Sequence, residues 1–306
     1  MDIILSALSQ GAIWTVMGMG VYITFRILNE PDLTTEASFT LGAAVGAPLL
    51  ILGVNPLLAL LVVMLVGAAA GAITALMITK AKINSLLAGI ITMTGLYSIN
   101  LGFMGRANLS VAGLSSLKTW LGNLGLPRNV DTLVLGLIVI GILVGLLSFF
   151  FRTDMGQALI ATGDNPTMAK SLGISTAEMT MLGYMLGNAL IALSGYLVAS
   201  DNGYADISMG IGSIVIGLAA IIIGEVVIPN VSLPVRLLTI FFGSVVYRLL
   251  LAVVLRFNFD PNNFKLFSAV ILGLCLSIPT LQRYFFQRQI RRGLSRKTAA
   301  SQGTDS

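Results

Sequence analysis

The chain runs to 306 residues, of which 56% are hydrophobic and only 10% charged, and its mean hydropathy is +0.92. Soluble globular chains carry about 25% charged residues, and a core of this length cannot hide so much apolar surface from water, so the composition excludes a soluble domain. His is absent and Cys275 is the single cysteine, which excludes a disulfide framework and a Cys/His metal cluster.

A helix needs about 20 apolar residues to cross a bilayer, and the few charges bracket windows of that size. Asp2 to Arg26 is the first. It lacks a basic leader and its apolar stretch exceeds the roughly 7–15 residues of a signal sequence, so it reads as a mature helix. Glu36 to Lys80 is uncharged between its ends and is divided by the turn signal Gly53-Val54-Asn55-Pro56. Lys82 to Arg106, Asp131 to Arg152, Glu178 to Asp201 and Asp206 to Glu225 bound four more windows. Arg236 to Arg256 is a further one, interrupted by Arg248, and Lys265 to Arg283 is the last. These windows predict an all-α integral membrane fold of about nine transmembrane helices over 1–283. A basic tail, 284–306, turns to Gly, Ser, Thr and Gln and frays in solvent. Cys275, inside an apolar run, reads as a small buried hydrophobe.

Lys and Arg are enriched in cytoplasmic loops. Placing Arg283, Arg288, Arg291, Arg292, Arg296 and Lys297 of the tail inside leaves the N-terminus outside and the C-terminus cytoplasmic. Arg26, Lys80, Lys82, Arg152, Lys170 and Arg236 then fall inside, against Arg106, Lys118, Arg128, Arg256 and Lys265 outside. Asp32-Leu33-Thr34 and Asp206-Ile207-Ser208 each lead into an apolar, Gly-bearing helix, and the two would run oppositely across the bilayer. That pattern fits an inverted repeat, spans 1–4 answering spans 6–9.

The loop 152–178 reads as a helix, a break and a second helix. Gly163-Asp164-Asn165-Pro166 stops one helix and starts the next, with Asn165 as N-cap before Pro166, and Gly173 ends it. Such a loop is either a solvated connector or a docking element. Ala161, Met168, Ala169, Leu172 and Ile174 form a small apolar face suited to a groove on another protein.

These residues resemble the coupling-helix segment of ABC importer permeases of the branched-chain amino-acid and ribose group. The matching positions are Gly156, Ala158, Ala161-Thr162-Gly163-Asp164-Asn165, Ala169 and Gly173-Ile174. Further stretches resemble the permeases of tryptophan/tyrosine-type importers: Phe25-Arg26-Ile27-Leu28-Asn29 with Pro31-Asp32-Leu33-Thr34, and Tyr247-Arg248-Leu249-Leu250 with Asp260-Pro261-Asn262-Asn263. Ser208-Met209-Gly210-Ile211-Gly212 with Gly217-Leu218-Ala219 matches too, and the likeness extends from about residue 10 to 283. Glu36-Ala37 departs from the small residue expected after the acid.

The resemblance implies a type II-like permease architecture in a bacterial inner membrane, working as a homodimer. Its partners would be a cytoplasmic ABC ATPase that carries ATP and Mg and an extracytoplasmic binding (lipo)protein. This chain would hold no cofactor and bind no nucleic acid. The ATPase-coupling residues would be Gly156, Ala161, Gly163, Asp164, Asn165, Ala169, Leu172 and Gly173. The cargo implied is an amino acid, aromatic first and branched-chain next, with a nucleoside or sugar as the alternative. The absence of any Gly-x-x-x-x-Gly-Lys-Ser/Thr loop agrees with a non-catalytic subunit whose energy comes from elsewhere.

Polar groups within spans mark either helix–helix contacts or a path. Ser38, Thr94, Tyr97, Asn100 and Asn188 are the substrate-path candidates, Thr40 and Thr92 lying in the same windows. Asn100 and Asn188 are the costliest to bury unpaired. Arg248, an intramembrane charge, needs water, backbone carbonyls or Glu225 as partner. Gly67-x-x-x-Gly71, Gly141-x-x-x-Gly145 and Gly183-x-x-x-Gly187 read mainly as internal packing signals. A membrane-embedded enzyme would need clustered acids, His or a nucleophile–base pair in the spans, and an ion-coupled secondary carrier would need intramembrane carboxylates. Glu225, near a span end, is thin support for the latter.

Overall fold

The computed structural model describes residues 2–114, 130–229 and 231–256, with residues 270 and 273. Helix α1, Asp2–Val21, runs into a π-helical turn, Tyr22–Ile27, and is followed by α2, Thr34–Ile51, α3, Pro56–Thr79, and α4, Ser85–Met104. Then come β1, Asn108–Ser110, α5, Val130–Phe150, the short helices α6, Asp154–Asp164, and α7, Pro166–Ser171, and the long α8, Thr176–Asn202. Strand β2, Tyr204–Asp206, α9, Ser213–Val227, and α10, Leu233–Arg256, complete the described chain.

Helix ends fall where the side chains can satisfy backbone groups that the helix leaves open. Asn55 accepts from Leu57 N at 3.0 Å ahead of Pro56, and Asn84 accepts from Leu86 N at 3.0 Å. Gly53 (φ 71°) makes the turn between α2 and α3 that the sequence predicts, and Gly105 (φ 67°) ends α4.

Among the described residues, six helices are long and apolar enough to cross a membrane: the first, ending at Ile27, then α3, α4, α5, α8 and α10. Two predicted windows come out differently. Helix α2 carries Thr34, Thr35, Glu36, Ser38 and Thr40 in its first turns and is buried almost throughout. The window from Asp206 to Glu225 is helical only from Ser213, because the Asp206 turn and Gly212 (φ 81°) hold the preceding residues out of helix. At ~1.5 Å per residue α9 spans about 22 Å, short of the ~30 Å core. The ninth window, 265–283, apart from residues 270 and 273, and the tail, 284–306, with Cys275 lie outside the described residues.

Helix α8 is the hub, packed against α1, α2 and α3. It approaches at backbone distance through glycine: a Cβ at Gly42 would sit 1.8 Å from the Ala192 carbonyl oxygen, and one at Gly195 1.8 Å from that of Phe39. Gly67 and Gly71 meet α8 at Ala192 and Tyr184, and Gly183 and Gly187 meet Leu28 and Thr24. Gly141 and Gly145 differ from the expectation, since nothing lies within 4 Å of a Cβ there and they face outward on α5.

The helices define two ends. At one, β1 pairs antiparallel with β2, Leu109 opposite Ala205, and Asp201 on α8 takes hydrogen bonds from Gln10 (2.6 Å) and Thr132 (2.7 Å). At the other, α6 lies against the residues that follow the π-helical turn. We call these the hairpin end and the coupling end.

Candidate functional site

The loop 152–178 folds as the sequence predicts locally. Thr153 accepts from Gly156 N at 3.3 Å to start α6, Asn165 accepts from Met168 N at 3.0 Å to start α7, and Gly173 adopts φ 81°. Gly156 lies against the backbone of Phe150 and Phe151. At Gly163 a Cβ would sit 1.7 Å from the Ile27 carbonyl oxygen, so the segment rests directly on the turn that leads from α1 into α2. The predicted apolar face is split. Ala169 is buried against its own chain, while Met168 and Leu172, one helical turn apart, are 59% and 66% exposed beside exposed Asp164 and Asn165. A polar cavity of about 540 Å³ lies at this end, between Glu30 and Lys82 on one side and Asp164 and Lys170 on the other.

Glu225 belongs to the coupling end as well. Its Oε1 accepts from Arg26 Nε at 2.9 Å and from Arg236 at 3.0 Å. It therefore does not serve Arg248, which lies over the Trp14 ring at 4.4 Å from the centroid, Trp14 being stacked on Phe39.

A buried polar network anchors the start of α2. Asp32, 2% exposed, accepts from Asn188 Nδ2 at 2.8 Å and from Thr34 N at 2.9 Å. The Thr34, Thr74 and Thr92 hydroxyls follow in a chain of 2.9 Å contacts, and Tyr184 donates to Glu30 at 3.0 Å. Asn188 lies about 18 Å along α8 from the coupling end at ~1.5 Å per residue, so Asp32 sits well inside the bundle.

Of the path candidates, Thr94, Tyr97 and Asn100 come together at one cavity of about 370 Å³ between α4, α2 and the segment after β2. Ser38 and Asn188 are fully buried and do not line it. Glu36, Thr40, Ser98, Ile207 and Ile211 do line it, and the sequence reading gave Glu36 no place there. Glu36 Oε1 accepts from Gly212 N at 2.9 Å, and Thr40 Oγ1 from Gly210 N at 3.1 Å, which pins the 208–212 segment to α2. The signal that marks Glu36 is an acid followed within four residues by Ser38 and Thr40 in an apolar window; a single charge at a window edge is read by default as a span end. The cavity lies toward the hairpin end, where Asp206, though partly buried, is held below the usual carboxylate range by Ser208 and Asn108.

The family described as branched-chain amino acid transport system / permease component matches residues 3–276. The tyrosine transport system permease protein of Clostridioides difficile is 36% identical over 88% of both chains. The ribose import permease protein of Escherichia coli is 25% identical over 71% of this chain and 67% of its own. Among solved structures, PsaBC from Streptococcus pneumoniae in complex with Fab superposes with a TM-score of 0.52 over 94% of both chains at 17% identity, a likeness of fold. An inward-facing metal-chelate type ABC transporter gives 0.50 over 92% of this chain and 85% of that one, at 18% identity. With its apolar helices, the chain belongs to the branched-chain amino-acid transport permease family and is a membrane-embedded permease subunit of an ABC transporter.

Proposed function

We propose that the chain forms the translocation path of an importer for an amino acid, aromatic in first place and branched-chain next. An extracytoplasmic binding protein delivers the cargo, and a cytoplasmic ATPase partner holds and hydrolyses MgATP. The observation that carries the reading is the seat of the coupling segment: Gly163 rests on the Ile27 carbonyl while Met168 and Leu172 stand exposed for a partner's groove. Motion imposed on α6 and α7 reaches the 27–34 turn without an intermediary and from there the start of α2. The 36% identity to a tyrosine permease supports the cargo class.

Two copies make the path. The α4 face with exposed Thr94, Tyr97 and Ser98 is too polar for lipid and turns to a second copy across a watered cavity. The architecture is an inverted repeat. Asp32 caps Thr34 N and Asp206 caps Ser208 N with the same turn, each ahead of an apolar helix. The packing of α2 and α3 on α8 is answered by that of α9 and α10 on α1. In a bacterial inner membrane the coupling end faces the cytoplasm.

Proteoliposomes holding the permease, its ATPase and its binding protein, assayed with labelled tyrosine, tryptophan, leucine and ribose, test this. ATP-driven accumulation of the amino acids is expected, and a Gly163→Val permease, whose side chain meets backbone, should lose it. Ribose accumulation alone would overturn the cargo class, and full activity of Gly163→Val would overturn the coupling route.

A further inference from the structure

Among the described residues, the two other than glycine that adopt positive φ are Asn29 (58°) and Lys82 (57°), and both line the polar cavity at the coupling end. Asparagine tolerates the left-handed region, whereas for a lysine it is uncommon and strained, and such strain gathers at ligand clamps. Each wall of this cavity of about 540 Å³ carries one acid and one base: Glu30 and Lys82 on the body, Asp164 and Lys170 on the coupling segment. Among the described residues no ion pair engages any of the four, the ion pairs of this end being those of Glu225 with Arg26 and Arg236. Glu30 gives one oxygen to the Tyr184 hydroxyl and keeps the other. The walls cannot close further to pair these charges, because they already meet at backbone distance where Gly163 rests on the Ile27 carbonyl.

Two charges of each sign, held apart across a gap, match a ligand that carries both signs. An anion alone leaves the two acids unmatched, an amine alone leaves the two lysines, and a neutral sugar leaves all four. Leu28, Ile78 and Pro166 add apolar surface for a side chain, and the volume falls within the roughly 300–1,000 Å³ of small-molecule sites. Taking the amino-acid and coupling readings above as its basis, we propose that this cavity binds a free zwitterionic amino acid, its carboxylate to the lysines and its ammonium group to the acids. Because the ligand joins both walls, it restrains the coupling segment against the body and slows ATP hydrolysis. Lys170 stands two residues from both Met168 and Leu172, hence on the other side of the helical turn. A partner seated on those two residues therefore leaves the cavity open. The imported solute then limits its own uptake from the side to which it is delivered.

Permease and ATPase in nanodiscs, without the binding protein, expose both ends to one solution and leave delivery out. Tryptophan should bind saturably by calorimetry and lower ATP hydrolysis. Tryptamine, which lacks the carboxylate, and indole-3-propionate, which lacks the ammonium group, should each need roughly tenfold more or beyond, the scale of a lost charge-assisted hydrogen bond. The double variant Lys82→Asn/Lys170→Gln, whose asparagine accepts the left-handed backbone more readily than lysine, should hydrolyse ATP at the wild-type rate and resist tryptophan. Unchanged hydrolysis by the wild type, equal inhibition of the double variant, or equal potency of indole-3-propionate would overturn the proposal. If the double variant loses hydrolysis altogether, calorimetry decides: lost tryptophan binding supports the site and unchanged affinity overturns it. Uptake of labelled tryptophan and ribose by the complete transporter runs alongside. Tryptophan uptake without any effect of tryptophan on hydrolysis overturns this site alone, whereas uptake of ribose alone overturns the amino-acid reading on which it rests.

Discussion

An arginine inside an apolar helix must place five N–H groups where water is scarce, and Arg248 does so partly with a ring. Its guanidinium lies 4.4 Å above the Trp14 centroid, its Nε is buried without an acceptor among the described residues, and Trp14 is itself stacked on Phe39 at 5.0 Å. The need for a partner is legible from the sequence, because a lone cation in a span is expensive. The identity of the partner is not, since nothing local to Arg248 marks a tryptophan on α1, and Glu225, the acid the sequence offers as its partner, is engaged by Arg26 and Arg236 at the coupling end. Arg248→Met and Trp14→Leu should each lower thermal stability in detergent. A double-mutant cycle between them should return a coupling of about 0.5–2 kcal/mol, the range of a partly desolvated cation–π pair. Additive losses would show that the two side chains are independent.

Between residue and bundle stands the polar knot at the start of α2. Asp32 binds Asn188 of α8 and the Thr34 backbone, and the Thr34, Thr74 and Thr92 hydroxyls carry the link to α3 and α4, so four helices meet through one carboxylate. Asp32→Ala should cost about 1–3 kcal/mol, since it leaves buried donors unmatched. Asp32→Asn should cost less. Its carbonyl still serves Thr34 N, and a turned Asn188 amide presents its unpartnered Oδ1 to the new NH₂. Thermal unfolding of the two variants checks the order, and equal losses would mean that the charge itself is required. Most helices were readable from the positions of charges, because an uncharged window of membrane length has few other uses. The late start of α9 was not readable, since an Asp206 turn and a positive-φ glycine are short signals inside an apolar window. Glu36 was misread for the same reason in reverse: in one dimension an acid looks like a boundary, and only the fold shows that Gly212 and α4 close around it.

For the whole molecule the open quantity is direction across the bilayer. Successive helices carry the chain back and forth between the two ends, as the pairing of β1 with β2 and the seat of α6 near Ile27 require. Arg26, Arg152, Lys170 and Arg236 gather at the coupling end, whereas Arg106 stands beside the hairpin. Retention of positive charge on the cytoplasmic side predicts that the coupling end faces inward and the α4 cavity outward. Cys275 is the single native cysteine, so a Cys275→Ser background allows one reporter at a time. Leu52→Cys, in the turn between α2 and α3 at a position 77% exposed, should react with a membrane-impermeant maleimide in intact cells. Ser171→Cys and Glu178→Cys, exposed at the coupling end, should react only after the membrane is permeabilised. The reverse pattern would invert the molecule, and with it the side toward which the α4 cavity opens.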